Sequence, residues 1–186
     1  MCIRDRPYIN RIKDNLMEVP FNPLKDLYES LKESDCIVLV GSGRSYHAMT
    51  IPASQLAMMK DGKIIVTPED VGFPGANLYQ AAPTLEKRYE RILILVNSGS
   101  GETIDPYLEV KGLRKYIEET KTEKFNLTAI TSNPNSPIGK IAKEYGNLIE
   151  LKGRVKSTRE PKEYSEEGVM GDLFELGSCT LLQVLT

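Results

Sequence analysis

The chain has 186 residues, with 24 basic and 26 acidic side chains and a net charge of −2 at pH 7. A globular chain of this length can bury roughly 70% of the surface that its unfolded form exposes, so it needs neither a disulfide nor a structural metal to fold. The even balance of charge predicts no concentrated basic face, which argues against a nucleic-acid partner.

The cysteines and the apolar segments indicate the cellular compartment of the chain. Cys2, Cys36 and Cys179 lie far apart without metal-ligand spacing, and Cys36 and Cys179 fall in apolar segments, as small buried side chains do. We therefore predict no metal site and a reducing, cytoplasmic compartment. No apolar stretch approaches the ~18 residues of a membrane span, and no signal-peptide core is present, so we predict a soluble protein without a membrane partner.

Residues 1–34 are predicted to form a helical arm, distinct from a domain at 35–186. Asn22 and Pro23 are typical of a helix start, because Asn caps free amides and Pro fits the first helical position. Apolar residues then recur at helical spacing: Leu24, Leu27, Tyr28 and Leu31. Residues 1–6 join awkwardly to the rest and are interpreted as a translated cloning or assembly scar. The sequence also stops inside an apolar helix, which predicts a truncated C-terminal helix.

Strands alternate with helices in the rest of the chain. Strands are predicted at 36–40, 63–67, 92–96, 127–131 and 148–151, and helices at 45–60, 83–89, 106–119, 137–145 and from 171 onward. Residues 68–90 are otherwise predicted to be loop, and Pro52 is expected to kink its helix. Because the strands are continuous apolar runs, they suit a sheet that is buried on both faces. The pattern predicts an α/β fold, a doubly wound, five-stranded parallel sheet flanked by helices.

The segment NSGSGET at 97–103 follows the third strand directly. Glycines let the main chain approach an anion, and successive amides at a helix N-terminus form an anion cradle. Hydroxyls of Ser98, Ser100 and Thr103 add donors in the same small volume. The alternative is a tight strand-to-helix turn, which also uses Gly and Ser. We predict a phosphate site, with candidate ligands Ser98, Gly99, Ser100, Gly101, Glu102 and Thr103.

The neighbouring residues argue against a nucleotide as the ligand of this phosphate site. A Walker loop would carry Lys where Glu102 stands. The dinucleotide glycine fingerprint fails at both loops, because Tyr46 and Ile104 occupy the position of its third glycine. A nicotinamide-dependent oxidoreductase is therefore disfavoured, and a small phosphate ester is favoured.

A second loop, GSGRS at 41–45, follows the first strand and adds Gly43, Arg44 and Ser45 as candidate ligands. Arg44 is predicted either to face the ligand, to pair with Glu102, or to lie on the surface. His47, the single histidine of the chain, could shuttle a proton at the ligand end of its helix. A histidine on a helix surface is the competing interpretation.

Glu175 is a carboxylate inside an otherwise apolar run. Burial there would suit it to remove a proton next to a carbonyl. The alternative is a capping box, with Asp172 as N-cap and Glu175 three residues later. The charged segment 152–167 is interpreted as a solvated connector, or alternatively as a lid over an anionic ligand.

The pair of strand-end loops, GSGRS and NSGSGET, resembles the SIS (sugar isomerase) domain superfamily. A segment over 130–134 that ends strand four supports this resemblance. Within the superfamily, Met170 to Glu175 after a polar, charged connector looks most like the 6-phospho-3-hexuloisomerase branch. The likeness covers roughly residues 35–182. The sequence departs from that pattern at Tyr46, where a glycine is usual, and in a long 71–89 loop.

The resemblance implies an SIS-type, flavodoxin-like fold and a cofactor-free aldose–ketose isomerisation through an enediol. It implies that Ser98, Ser100 and Thr103 hold the phosphate, that Ser45 lies near the sugar, and that Glu175 is the catalytic base. It also implies a homo-oligomer, a dimer or tetramer, with a small-molecule sugar phosphate as ligand. The alternative from another class is a non-catalytic sugar-phosphate sensor, which would keep NSGSGET without requiring Glu175.

Overall fold

The computed structural model describes residues 5–58, 62–154 and 172–186. The strands are β1 (Cys36–Gly41), β2 (Ile64–Val66), β3 (Ile92–Asn97), β4 (Phe125–Thr131) and β5 (Gly146–Glu150). The helices are α1 (Asp5–Met17), α2 (Phe21–Glu33), α3 (Gly43–Met58), α4 (Pro68–Val71), α5 (Leu78–Arg88), α6 (Ile104–Thr120), α7 (Pro137–Tyr145) and α8 (Asp172–Leu185). Residues 1–4 of the predicted scar and residues 155–167 of the predicted connector lie outside the described residues.

The five strands form one parallel sheet in the order β2-β1-β3-β4-β5. β1 and β3 pair along their whole length, from Cys36 opposite Ile92 to Gly41 opposite Asn97. Their continuous apolar runs are what a central parallel strand requires, because both of its faces are covered by helices. The predicted doubly wound α/β sheet is confirmed.

Each face of the sheet carries its own hydrophobic core. Alternate residues of β1 point to opposite faces, so that Val38 joins the core beneath α5, α6 and α7, while Ile37 joins the core beneath α2, α3 and α8. The second core also includes Leu27 and Leu31 of α2. Part of the predicted helical arm therefore packs on the sheet, on the same face as α8.

The start of α2 differs from the prediction. The helix begins at Phe21 after Pro20, whose extended conformation makes it the N-cap, so Asn22 lies inside the first turn and its side chain is not the cap. Pro23 is accommodated there because amides of the first turn have no partner within the helix.

Residues 68–90 hold more helix than predicted. α5 begins at Leu78, because Asn77 and Gln80 form a reciprocal capping box: the Asn77 side chain accepts from the Gln80 amide at 3.1 Å, and the Gln80 side chain accepts from the Asn77 amide at 3.0 Å. The helix then buries Leu78, Ala81, Ala82 and Leu85 against the sheet. α3 also differs, since it begins at Gly43 and continues through Pro52 to Met58.

Cys36 and Cys179 are free thiols, and burial raises the pKa of both. For Cys36 the pKa rises to about 11, with a smaller contribution from the nearby Asp35 carboxylate. Both groups therefore stay protonated near neutral pH and act as small apolar side chains, as predicted.

Several helices, among them α3 and α8, combine a buried face with exposed apolar residues. On α8, Phe174 is fully buried, whereas Leu176 and Val184 are exposed. On α3, Ile51 and Met58 are exposed in the same way. None of the described helices is both long and apolar enough to cross a bilayer.

Candidate functional site

The two glycine- and serine-rich loops meet at the carboxyl edge of the sheet. β1 and β3 are neighbours, yet the chain leaves them in opposite directions, toward β2 on one side and β4 on the other. This is the switch point at which open α/β sheets bind ligands. Gly41 lies opposite Asn97 in the register, so the 41–45 and 98–103 loops begin side by side, as predicted.

The 98–103 loop brings hydroxyls and amides together at the N-terminus of α6. The Gly101 amide donates to the Ser98 carbonyl at 3.0 Å, and Gly101 has a φ of +63°, which glycine adopts without strain. Ser100 Oγ accepts from the Glu102 amide at 3.2 Å and lies 3.5 Å from Thr103 Oγ1. Thr103 is the N-cap of α6 but makes no side-chain capping bond. Its hydroxyl is thus not committed to the helix and faces Ser100.

The end of β4 and the loop that follows it pack against the 98–103 loop and hold its main chain in place. The Gly99 carbonyl accepts from the Ser132 amide at 3.0 Å and from Thr131 Oγ1 at 3.3 Å. A Cβ on Gly101 would lie 2.0 Å from Ser136 Oγ, so the two loops are in direct contact. These contacts hold the amides of the cradle in place before any ligand binds.

Ser98 and Asn97 carry buried polar atoms that lack partners among the described residues. Ser98 Oγ and Asn97 Oδ1 make no hydrogen bond there, although Ser98 is 3% exposed and Asn97 is fully buried. An unpaired buried polar atom costs about 1–3 kcal/mol. Ser98 Oγ can therefore donate or accept a hydrogen bond, and Asn97 Oδ1 can accept one, when water or ligand enters the site.

Glu175 lies across the site on the first turns of α8. It is 8% exposed, its Oε1 accepts from Ser45 Oγ at 3.1 Å, and the same oxygen lies 3.5 Å from Arg154 Nη1. Glu175 Oε2 is buried and has no hydrogen-bond partner among the described residues. Its described contacts are made to α3 and to the segment after β5, whereas the side chain of Asp172, the alternative capping partner, lies outside the described residues.

Asn97 connects the helices that carry Ser45 and Glu175. Asn97 Nδ2 donates to the Ser45 carbonyl at 2.8 Å and to Ser178 Oγ at 3.0 Å, and Ser178 Oγ donates to the Glu175 carbonyl at 3.1 Å. One side chain at the end of β3 thus fixes the first turns of α3 and α8 relative to each other. The sequence offered a signal for this role, since a polar residue ending a fully buried strand must find partners.

Arg154 is a second residue of the site that the sequence did not single out. It follows Gly153 after β5, and its amide donates to Ser132 Oγ at 3.1 Å. A Cβ added to Gly99 would lie 2.6 Å from Arg154 Cδ, so the aliphatic part of the arginine side chain packs against Gly99 in the 98–103 loop. The sequence placed this arginine at the start of a solvated connector, because nothing local distinguishes it from its charged neighbours.

His47 and Ser45 lie two residues apart on α3, a spacing at which helical side chains do not share a face. Ser45 is buried and contacts Glu175, whereas His47 is exposed and its ring packs edge-on against Tyr46 at 5.6 Å between centroids. Among the described residues, no contact joins His47 to Glu175. The proton-shuttle role of His47 stays a prediction.

Gly43, Arg44 and Glu102 lie at the outer rim of the site. Gly43 starts α3 with a φ of +53°, and both Arg44 and Glu102 are exposed. Glu102 Oε1 accepts from Asn133 Nδ2 at 3.4 Å, which ties it to the loop after β4. The predicted pairing of Arg44 with Glu102, and the phosphate-binding role of all three residues, stay predictions.

A cleft of about 700 Å³ opens beside the first loop, between α4 and the first turns of α6. Tyr46 lines it, and so do four carboxylates: Glu69, Asp70, Asp105 and Glu109. Burial raises the pKa of Glu109, although a bond from the Leu78 amide opposes this. Because its walls are acidic, the cleft is unsuited to a phosphate group, and the 98–103 loop stays the predicted anion site.

The close packing of other side chains against Gly99 can be tested by a substitution that adds one methyl group. A methyl group there would meet both Arg154 Cδ and, at 2.9 Å, Phe174 Cδ1. We expect Gly99→Ala to lower the free energy of unfolding by about 1–3 kcal/mol, as overpacking does, measured by urea denaturation. Gly75→Ala is an informative comparison, since it has a φ of +82° but no neighbour within reach. A fully stable Gly99→Ala protein would contradict this close approach.

No protein-family model and no curated protein sequence matches the chain. Solved structures do match. Vibrio vulnificus NanR, in complex with ManNAc-6P, has a TM-score of 0.67 at 16% identity, over 98% of this chain and 59% of NanR. The sugar isomerase domain of an RpiR transcription factor from Sphaerobacter thermophilus has a TM-score of 0.65 at 14% identity, over 96% of this chain and 84% of that one.

A third match is a hypothetical protein of Methanococcus jannaschii, whose crystal structure was reported to infer a 3-hexulose-6-phosphate isomerase function. It has a TM-score of 0.56 at 19% identity, over 95% of this chain and 85% of that one. At these identities the matches show the fold. The chain has the fold of the SIS, or sugar isomerase, domain, as the resemblance implied.

Proposed function

We propose that this chain is a sugar-phosphate isomerase that interconverts an aldose and a ketose. The single observation that carries the proposal is the buried Glu175 carboxylate, bonded to the Ser45 hydroxyl at 3.1 Å beside the 98–103 cradle. A carboxylate held next to an anion site is what proton removal from a phosphorylated sugar requires. Structural neighbours described as isomerases, or solved with a sugar phosphate bound, support the same class of ligand.

In this mechanism the 98–103 loop fixes the phosphate with its amides and the hydroxyls of Ser98, Ser100 and Thr103. Binding energy from the phosphate then orients the sugar carbons against Glu175. Glu175 removes the proton from the carbon next to the carbonyl, which gives an enediol, and returns it to the neighbouring carbon. A hydroxyl proton moves between the two sugar oxygens in the same direction as the carbon-bound proton, so the product is the isomer with no net gain or loss of atoms.

Ser45 and Asn97 give the base its orientation. Ser45 donates to one carboxylate oxygen and leaves Oε2 as the atom without a partner among the described residues, so Oε2 is the natural proton acceptor. Asn97 holds the helices that carry Ser45 and Glu175. The described ring contact of His47 is with Tyr46, and its role as a proton shuttle stays a prediction.

The sugar itself is expected to be selected by the acidic cleft. Tyr46 and residues 67–70 and 75–77 are among the residues that line it. Tyr46 and the 71–89 segment are places where the sequence departs from the pattern that it resembles. Carboxylates there can accept hydrogen bonds from sugar hydroxyls.

A non-catalytic sensor of sugar phosphates is the second candidate. One observation favours it: Glu175 pairs with Arg154, so its charge is partly neutralised, as a purely structural carboxylate would be. Domains of this fold also occur in a transcription factor.

Cytoplasmic location and homo-oligomerisation remain part of the proposal, and the exposed apolar residues of α3 and α8 suit an oligomer.

The two candidates differ in whether a carbon-bound proton is exchanged. A thermal-shift panel of sugar phosphates first identifies a ligand. That ligand is then incubated with the protein in D₂O without added metal and followed by NMR. We expect deuterium at the carbon next to the carbonyl, together with appearance of the isomer. Binding with neither deuterium incorporation nor isomer formation would contradict the isomerase and favour the sensor.

A further inference from the structure

Arg154 contacts both halves of the site. Its stem lies against Gly99 in the phosphate loop, and its guanidinium lies 3.5 Å from Glu175 Oε1. Its main chain is fixed by the bond from its amide to Ser132 Oγ. A change in the side-chain torsions alone can therefore move the guanidinium between Glu175 and the loop.

The pair of Arg154 with Glu175 is an incomplete one. The 3.5 Å separation of Nη1 from Oε1 is longer than a charge-assisted hydrogen bond, which measures about 2.7–2.9 Å. The same carboxylate oxygen already accepts from Ser45, and the other oxygen has no hydrogen-bond partner among the described residues. The arginine side chain is 37% exposed, so water also competes for it. Glu175 thus holds Arg154 weakly.

A phosphate in the 98–103 loop would be a better partner for the same guanidinium. It carries up to two negative charges and offers adjacent oxygens that match the planar fork of arginine, which a lysine does not reproduce. If the Arg154 guanidinium moved from Glu175 to the phosphate, the Glu175 carboxylate would also become free to accept a proton. Phosphate binding and release of the base would then be one event.

We propose that Arg154 is a phosphate-binding residue that Glu175 retains in the ligand-free chain and gives up when the phosphate ester binds. The proposal rests on the proposed function only in placing a phosphorylated ligand at the 98–103 loop. It adds a ligand residue and a link between the anchor and the base. A sensor with the same loop would show the same link in binding, without turnover.

The test is a double-mutant cycle read out by binding, with the parent, Arg154→Gln, Glu175→Gln and the double variant. Inorganic phosphate and the sugar phosphate found by thermal shift are titrated calorimetrically into each protein. Arg154→Gln is expected to weaken binding by about 10- to 100-fold, the range for a lost hydrogen bond to a charged group. Glu175→Gln is expected to tighten binding by about fivefold or more, because it releases Arg154.

The deciding comparison is the effect of Glu175→Gln when Arg154 is absent. Removing a negative charge near the ligand could tighten binding by itself, but that effect would be equal in both backgrounds. We expect it to shrink or vanish in the Arg154→Gln protein. Equal effects in both backgrounds would overturn the proposal, as would an unchanged affinity in Arg154→Gln.

Two further variants serve as controls. Lys152→Gln removes a positive charge from the same segment, where Lys152 pairs with Glu18 on the surface, and should leave the affinity unchanged. Arg154→Lys keeps the charge without the fork and should lie between the parent and Arg154→Gln. Loss of affinity in Lys152→Gln equal to that in Arg154→Gln would reduce the effect to net charge and overturn the proposal. A parent that binds no phosphate ester would instead refute the proposed function, a result separate from equal effects in the cycle.

Discussion

Glu175→Gln is expected to lower kcat by at least ~10²- to 10⁴-fold, the usual contribution of a general base, while sugar-phosphate binding is retained. Gln has nearly the same shape as Glu and keeps an oxygen that accepts the Ser45 hydroxyl. It cannot take up a proton at neutral pH, so only the proton transfer is lost. Turnover is measured by following the isomer, and binding by calorimetry on the same preparation.

The matched control for this variant is Glu144→Gln, which makes the same chemical change on an exposed part of α7. It should leave both kcat and affinity unchanged. Thermal unfolding of both variants checks the fold, because a buried Gln at position 175 also changes the pairing with Arg154. A Glu175→Gln protein with parental kcat would show that another group removes the proton.

Deuterium exchange separates the catalytic step from later ones. If Glu175 is the base, the Gln variant should lose exchange of the carbon-bound proton to the same extent as it loses isomer formation. Exchange that persists while isomer formation falls would indicate that Glu175 acts after proton removal. Either measurement uses the protein without added metal, as the proposed mechanism requires.

The fold could be predicted from the sequence because its signals are local. β1 and β3 are continuous apolar runs that end in glycine- and serine-rich loops, and such runs with intervening helices define a doubly wound sheet. The helix at Leu78 was missed because its cap, Asn77 with Gln80, lies in a stretch rich in proline and glycine. Local breakers there outweighed a capping box that uses Asn in place of Ser or Thr.

The candidate site was predictable only in part, because several of its contacts are long-range. The residues of the proposed cradle follow one another along the chain, so the sequence alone groups them. Asn97 bonds to Ser45 and Ser178, and Arg154 lies against Gly99. A polar residue at the end of a buried strand indicates that Asn97 needs partners, but no local pattern identifies those partners, and none marks the contact of Arg154. For Glu175 the sequence left two roles open, since a cap and a base differ only in what the carboxylate reaches.

Ser100→Asp is expected to abolish phosphate-ester binding, with a loss of affinity of at least about 100-fold, as for like charges forced together in a recognition site. Ser100 Oγ accepts from the Glu102 amide at 3.2 Å and lies 3.5 Å from Thr103 Oγ1. A carboxylate at this position would occupy those donors and repel the phosphate. The N-terminus of α6 favours a negative charge by about 0.3–1 kcal/mol, so the variant should still fold.

Calorimetric titration of the sugar phosphate and of inorganic phosphate into the folded variant measures this effect. Ser100→Ala removes the hydroxyl without adding charge and should weaken binding only by about tenfold, the value of one hydrogen bond. Ser54→Asp makes the same substitution on the exposed side of α3 and should have no effect. Parental affinity in Ser100→Asp would place the phosphate elsewhere.

The two variants test independent halves of the proposed function. Ser100→Asp should lose binding and therefore turnover, whereas Glu175→Gln should lose turnover and keep or tighten binding. A sensor would lose its ligand in Ser100→Asp and would have no turnover for Glu175→Gln to remove. The pattern across both variants, rather than either alone, therefore distinguishes an isomerase from a sugar-phosphate sensor built on the same fold.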